Sequence, residues 1–402
     1  MSAQGIVYLV GAGPGDPNLL TLRAFELIRS AQVVAHDELV SPEILALISS
    51  GAELLAVGRR HGRGKIDYRL HPLVLERARA GRVVVRLKSG DPLIFGRGAE
   101  EAEELADAGI PFEIVPGVSA ALGAAAYAGI PLTHRCHAPR VTFATGHRAE
   151  PAGPAHETVV LYMAAHRLKE NLDRLIADGY DPSTPAAYIA AATTPKQLVI
   201  SGTLANLADK VEPKRRSDPA LVIVGSVVSL RDRILWLEKM PLRGRRVLVA
   251  LAGPGPSKIA AQLRALGAYV LERPGVAVGG NADGAAPDSA WEQGIPACKY
   301  WCRTEAPDGE LPELIVLPNS SAARRLLSGE NGKLLSAVPM LAFGPTTEAA
   351  ARLHGAQKVL SLRANSIESA VSNTIQALRK LVAPNLELTR AANGKLKNRV
   401  SW

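Results

Sequence analysis

Along the first 115 residues, short β-branched runs alternate with segments of helical period. Residues 6–10 predict a buried strand, 20–31 an amphipathic helix, and 32–35, 54–57 and 82–87 further strands. Strands that are apolar throughout and separated by helices imply βαβ units and a mostly parallel sheet covered on both faces. From about residue 118 a helix of small residues (119–127) leads into strands at 141–145, 158–163, 186–190 and 221–224. This stretch is richer in Thr and less regular, which predicts a second α/β lobe with a mixed sheet.

A polar joint at residues 238–244 contains Pro241 and Gly244, and after it the strand-first rhythm restarts. The expected boundaries are therefore 1–240, with lobes of about 1–117 and 118–240, then a small α/β domain at 244–385 and a basic tail at 386–402. In that domain, residues 246–250, 314–317 and 340–343 predict strands, and 257–266, 321–327 and 347–353 predict helices. Residues 275–309, rich in Gly, Ala and Pro, read as a long loop.

Composition narrows the class without choosing a function. The chain of 402 residues is 47% hydrophobic and 21% charged, a globular profile that excludes disorder, collagen and coiled coil. Three cysteines are too few for a disulfide framework, and no run of apolar residues is long enough to span a bilayer. A cytoplasmic protein with no membrane partner is expected. The formal charge of +9 asks for an anionic partner, while 4% aromatic residues is poor provision for stacking nucleic-acid bases.

Candidate chemistry gathers in loops that directly follow strands, where α/β sheets place ligands. Gly11-Ala12-Gly13-Pro14-Gly15-Asp16 approaches a dinucleotide fingerprint, but Asp16 stands where the third glycine is needed. Residues 86–98 combine three glycines, a proline, Asp91 and three cations. Val115-Pro116-Gly117-Val118-Ser119-Ala120 turns a strand end into the small-residue helix, where a flat ligand could come close. Ile130 to Arg135 forms a fourth loop. The run His134-Arg135-Cys136-His137 has no second ligand pair at zinc-like spacing, so no metal is expected.

These four stretches, together with VVAHDELVS, TFATGH, VVLYMA and TTPKQLVISGTL, resemble the tetrapyrrole methylase family, and within it the uroporphyrinogen-III C-methyltransferases. The resemblance runs from about Gly5 to Leu237. It implies a two-lobed α/β fold with a cleft between the lobes. It also implies transfer of methyl groups from S-adenosylmethionine to C-2 and C-7 of uroporphyrinogen III, giving precorrin-2 for sirohaem or cobalamin, in a homodimer. Carried over by position, it puts the cofactor against Pro14, Ser89, Gly90, Asp91, Ile94, Ser119, Ala120, Met163 and Ala192. Asp37 falls where the family has a general base. His36 replaces a usual Tyr, and Arg59 replaces a Lys proposed as proton donor. Because Arg stays protonated, Arg59 suits carboxylate binding better than proton donation.

An octacarboxylate substrate also accounts for the charge. Between Gly58 and Glu100 there are eleven Lys and Arg against four Asp and Glu. Arg60, Arg86, Arg97 and Arg135, read as lying in loops or at strand ends, are the expected substrate contacts. An RNA methyltransferase of the same fold, or a non-catalytic tetrapyrrole-binding protein, remains open at this point.

The C-terminal part shows a weaker resemblance to the uroporphyrinogen-III synthase family, through RRVLVALAGPGPSKIAAQLRALGAYVLERPGV, LIVLPNSSAARRLL and MLAFGPTTEAAARLHGAQKVL. Asn319, Ser320, Ser321, Thr346 and Thr347 fall where that family presents hydroxyls and amides to its substrate. Only one lobe's worth of chain is present, which implies a degenerate docking or dimer-supporting domain rather than an active synthase.

Overall fold

The computed structural model describes residues 5–45, 47–49, 51–57, 70–146, 157–217, 219–251, 257–274, 311–328, 332–378 and 380. The chain divides into two compact units, Met1–Leu237 and Glu238–Trp402.

The first unit opens with a five-stranded sheet in the order β3-β2-β4-β1-β5. Its strands are β1 (Ile6–Gly11), β2 (Val33–His36), β3 (Glu53–Ala56), β4 (Val83–Lys88) and β5 (Phe112–Val115). Every pairing is parallel, as the unbroken apolar runs require. Successive residues feed opposite faces, so Val84 joins one buried cluster with Val7 and Leu9, and Val85 joins another with Val10 and Ile28. The connecting helices are α1 (Leu22–Ser30), α2 (Pro42–Leu45), α3 (Pro72–Arg79) and α4 (Gly98–Asp107). Helix α1 starts where the Thr21 hydroxyl accepts from the Ala24 amide at 3.1 Å, and it buries Ala24, Leu27 and Ile28.

Helix α5 (Ala120–Ala128) ends at Gly129, whose φ of 67° gives the left-handed C-cap. It leads into a mixed sheet ordered β6-β7-β10-β8-β9. The strands are β6 (Arg140–Thr145), β7 (Glu157–Tyr162), β8 (Pro185–Ala190), β9 (Leu198–Thr203) and β10 (Ala220–Val224), with α6 (Leu168–Ala177), α7 (Leu207–Lys210) and α8 (Arg231–Ile234). Only β6 and β7 run parallel; the other three pairings are antiparallel.

The second unit is an all-parallel sheet ordered β12-β11-β13-β14-β15. Its strands are β11 (Arg246–Leu251), β12 (Tyr269–Pro274), β13 (Leu314–Leu317), β14 (Met340–Phe343) and β15 (Val359–Leu362). Relative to its own first strand the order is 2-1-3-4-5, a doubly wound arrangement. Helices α9 (Lys258–Ala265), α10 (Ser320–Ser328), α11 (Gly332–Leu335), α12 (Pro345–Leu353) and α13 (Ile367–Ala377) flank it. The loop expected at 275–309 and the tail at 386–402 lie outside the described residues. No helix among the described residues is long and apolar enough to cross a membrane.

Candidate functional site

Three glycine loops meet above the C-terminal ends of β1, β4 and β5. Gly13 and Gly90 exchange both backbone hydrogen bonds, at 3.1 and 2.7 Å. A Cβ on Gly11 would stand 2.6 Å from the backbone of Gly117 and 2.8 Å from the Gly90 carbonyl. A Cβ on Gly117 would collide with that same carbonyl. These glycines let backbone pack on backbone; in Gly13 and Gly90, φ near 70° adds a second reason.

Asp91 ties the loops together. Its carboxylate accepts from the Leu93 amide at 2.8 Å and from the Gly117 amide at 3.0 Å. Asp16, the residue that breaks the dinucleotide fingerprint, accepts from the Asn18 amide at 2.8 Å and from the Tyr127 hydroxyl at 2.6 Å. Its own amide donates to Thr193 Oγ1 at 3.2 Å, joining the first loop to the turn after β8. Both carboxylate oxygens of Asp16 are thus engaged where a phosphate cradle would need bare amides. Burial, with Asp16 beside it, pushes the Tyr127 hydroxyl far up.

The small-residue helix also makes room for the first loop. At Gly123 a Cβ would strike the Pro14 ring, so this face of the helix admits loop 1. Ser119, expected to face the cofactor, is 5% exposed, and its hydroxyl lies 2.5 Å from that of Tyr162. The Ala121 amide donates to the same Tyr162 oxygen at 3.2 Å, and the Phe95 ring packs on Tyr162 with centroids 4.7 Å apart. Tyr162, raised by burial, is the residue on which the second loop, α5 and β7 converge.

The structure therefore brings Pro14, Gly90, Asp91, Ser119 and Ala120 together, with Gly90 in contact distance of Ala120. Ala192 lies against Gly15, Ile94 precedes Phe95, and Ser89 lies between β4 and Gly90. Met163, expected within a strand, follows the end of β7 with a left-handed φ of 55°. Among the described residues, the non-glycine residues with positive φ are Phe95, Arg97, Met163, Ala191 and Thr193. All belong to these loops. Such conformations cost roughly 1–3 kcal/mol each and concentrate at functional sites.

Asp37 follows β2 and sits beside β4. Its Oδ1 accepts from Arg86 Nη2 at 2.5 Å, and its Oδ2 lies 4.0 Å from Lys88 Nζ. Glu101 of α4 accepts from Arg86 Nη2 at 3.0 Å and from Lys88 Nζ at 2.7 Å. The expectation that Arg86 meets substrate at a strand end is corrected here: it lies within β4, 5% exposed, and its guanidinium is occupied by two carboxylates. Burial works against its charge, but Asp37 and Glu101 more than offset that and raise its pKa. Lys88 is pulled down by burial and by Arg86. His36 is 3% exposed and lowered by burial, its Nδ1 3.0 Å from the Asp37 carbonyl.

Arg59 and Arg60 lie outside the described residues. Arg97 has a φ of 59° at the start of α4, and Arg135 stands exposed in the turn between His134 and Ala138. In that turn His134 Nδ1 accepts from the Cys136 amide at 3.1 Å, a turn-holding bond. Some of the cation surplus is internally matched, since Arg77 pairs with Glu53 at 2.7 Å.

Sequence reasoning missed Glu101, Lys88, Tyr162, Tyr127 and Thr193 as functional neighbours. One signal was available: β4 is buried from Val84 onward yet carries cations at 86 and 88, two residues apart and so on one face. A buried cation pair requires a carboxylate opposite.

The parallel first sheet, the mixed second sheet and the glycine loops define the first unit as a two-lobed α/β structure. Residues 6–208, just over half of the chain, match the family of tetrapyrrole (corrin/porphyrin) methylases, and the protein belongs to that family. It is 48% identical over 243 residues to a siroheme synthase of Hahella chejuensis, covering 58% of this chain and 52% of the relative. Against a siroheme synthase of Pseudomonas paraeruginosa it is 50% identical over 246 residues, covering 59% and 53%. The chain thus spans about half the length of these curated relatives. Among solved structures, a uroporphyrin-III C-methyltransferase of Thermus thermophilus is 42% identical, with a TM-score of 0.49 over 58% of this chain and 97% of that one. A structure of the Thermus enzyme complexed with S-adenosylhomocysteine is 39% identical, with a TM-score of 0.48 over 56% and 93%.

Proposed function

We propose that the protein methylates uroporphyrinogen III at C-2 and C-7 to give precorrin-2, with S-adenosylmethionine as methyl donor and Asp37 as general base. The observation that carries this reading is the juxtaposition, in a tetrapyrrole methylase, of the convergent glycine loops with a partly buried Asp37 held by Arg86.

The residues fit the cofactor's chemistry. Asp16 closes the first loop to a phosphate, and each oxygen of Asp91 keeps a lone pair for a ribose hydroxyl while tying the loops. Pro14, Ser89, Gly90, Asp91, Ile94, Ser119, Ala120, Met163 and Ala192 form the pocket, Ser119 by fixing α5 through Tyr162. When bound, S-adenosylmethionine supplies a methyl group on a sulfonium. The chain's own task is to orient a pyrrole carbon in line and to exclude water. The alkylated ring carbon becomes quaternary, so the charge is discharged by loss of a proton from elsewhere on the macrocycle, and Asp37 Oδ2 accepts it. Arg59, Arg60, Arg97 and Arg135 bind carboxylates of the macrocycle. The second unit is a synthase-like docking domain, and the protein acts as a cytoplasmic homodimer.

Incubation with S-adenosylmethionine and enzymatically generated uroporphyrinogen III should give mono- and dimethylated product by mass spectrometry; no methylated product refutes the reading. Asp37→Asn should lower kcat by about a hundredfold or more while leaving the calorimetric affinity for S-adenosylmethionine unchanged.

A further inference from the structure

Four ionisable side chains share one buried cluster. Side-chain exposure is 6% for Arg86, 3% for Lys88, 9% for Glu101 and 27% for Asp37. Asp37 is the only member with substantial access to solvent. A single atom, Arg86 Nη2, donates to both Asp37 Oδ1 and Glu101 Oε1, and that same Glu101 oxygen also receives Lys88 Nζ. The cluster is poorly built as a source of stability. Glu101 Oε2 and Arg86 Nε are buried without hydrogen-bond partners, and burying such ions costs several kcal/mol each against an apolar core. What the cluster does achieve is orientation. It occupies Oδ1 of the most accessible carboxylate with a hydrogen bond, while Oδ2 has only the longer 4.0 Å approach of Lys88 Nζ.

We propose that Arg86 and Glu101 are positioning residues for the reaction. Glu101 clamps the Arg86 guanidinium from α4, and Arg86 fixes Asp37 so that Oδ2 alone is presented as proton acceptor. Lys88 balances the second carboxylate. The proposal rests on Asp37 being the general base.

The test is a double-mutant cycle on the full chain. Glu101→Gln keeps the shape of the clamp and removes its charge. In the wild-type background it should lower kcat about tenfold or more, with KM for the tetrapyrrole and the affinity for S-adenosylmethionine changed less than about threefold. In an Asp37→Asn background the same substitution should cost nothing further, because the residue it positions is already gone. If thermal unfolding shows that Glu101→Gln has lost the fold, Arg86→Lys carries the same cycle, since it keeps the charge balance but cannot bridge both carboxylates. Equal losses in both backgrounds, or a rise in KM alone, overturn the positioning role while leaving the methyltransferase reading intact. A wild-type protein without turnover overturns both.

Discussion

His36 shows how far one buried side chain can set a pH response. Burial holds its imidazole below the ordinary value of 6.5, and Arg86 adds to that, against the Asp37 carbonyl and charge. Folded His36 therefore stays neutral where the unfolded imidazole takes a proton. Below about pH 6.5 the unfolded chain binds the extra proton, so stability is full above that pH and falls as pH drops toward the folded value. His36→Tyr removes this contribution, and its unfolding free energy should fall less than that of the wild type between about pH 6.5 and pH 5.5, by up to about 1.4 kcal/mol per pH unit. Equal slopes would refute it. Gly117 makes a second prediction at this scale. Because its Cβ would collide with the Gly90 carbonyl and stand 2.9 Å from Gly11 Cα, Gly117→Ala should cost about 1–3 kcal/mol in thermal unfolding and weaken S-adenosylmethionine binding. Asp37 was legible in the sequence as a carboxylate after a strand. Its partners were not, because Glu101 is 64 positions away and reads as one acid among several on a helix. Only the parallel pairing of β2 with β4 brings the two charged stretches together.

At the scale of elements, the first four strands of the first parallel sheet were the most legible part, whereas β12 and β15 of the second were not anticipated. Residues 6–10, 32–35, 54–57 and 82–87 all fall within a residue or so of β1, β2, β3 and β4. Apolar runs buried on both faces leave little choice of period. Strand β9 was not anticipated: Leu198–Thr203 mixes apolar and small polar residues, and none of them is fully buried. Helix α5 was legible as a helix, but its packing on Pro14 was not, because composition cannot tell which neighbour a small-residue face admits. The tie that holds this helix is Tyr162 on β7. Tyr162→Phe leaves the Ser119 hydroxyl and the Ala121 amide without their buried partner, which should cost about 1–2 kcal/mol. If α5 thereby loosens against the second loop, S-adenosylmethionine affinity should fall with stability. Unfolding and calorimetry on the one variant check both, and unchanged affinity would separate α5 from the pocket.

For the whole molecule, the two units differ in how they build their cores. In the first unit the four buried clusters draw only on residues 7–224 and their close followers Val227 and Val228. In the second, two clusters on opposite faces of one sheet draw only on residues 242–378. Each unit thus carries the apolar interior that independent folding needs. Every residue assigned a role in methylation precedes Leu237, and the family match ends at residue 208. A chain ending at Leu237 should therefore fold cooperatively, with kcat within about twofold of the full chain, while the full chain unfolds calorimetrically in two transitions rather than one. A loss of about tenfold or more on truncation would mean that the second unit supports the first in catalysis. In that case the doubly wound second unit would be part of the working methylase rather than an independent appendage.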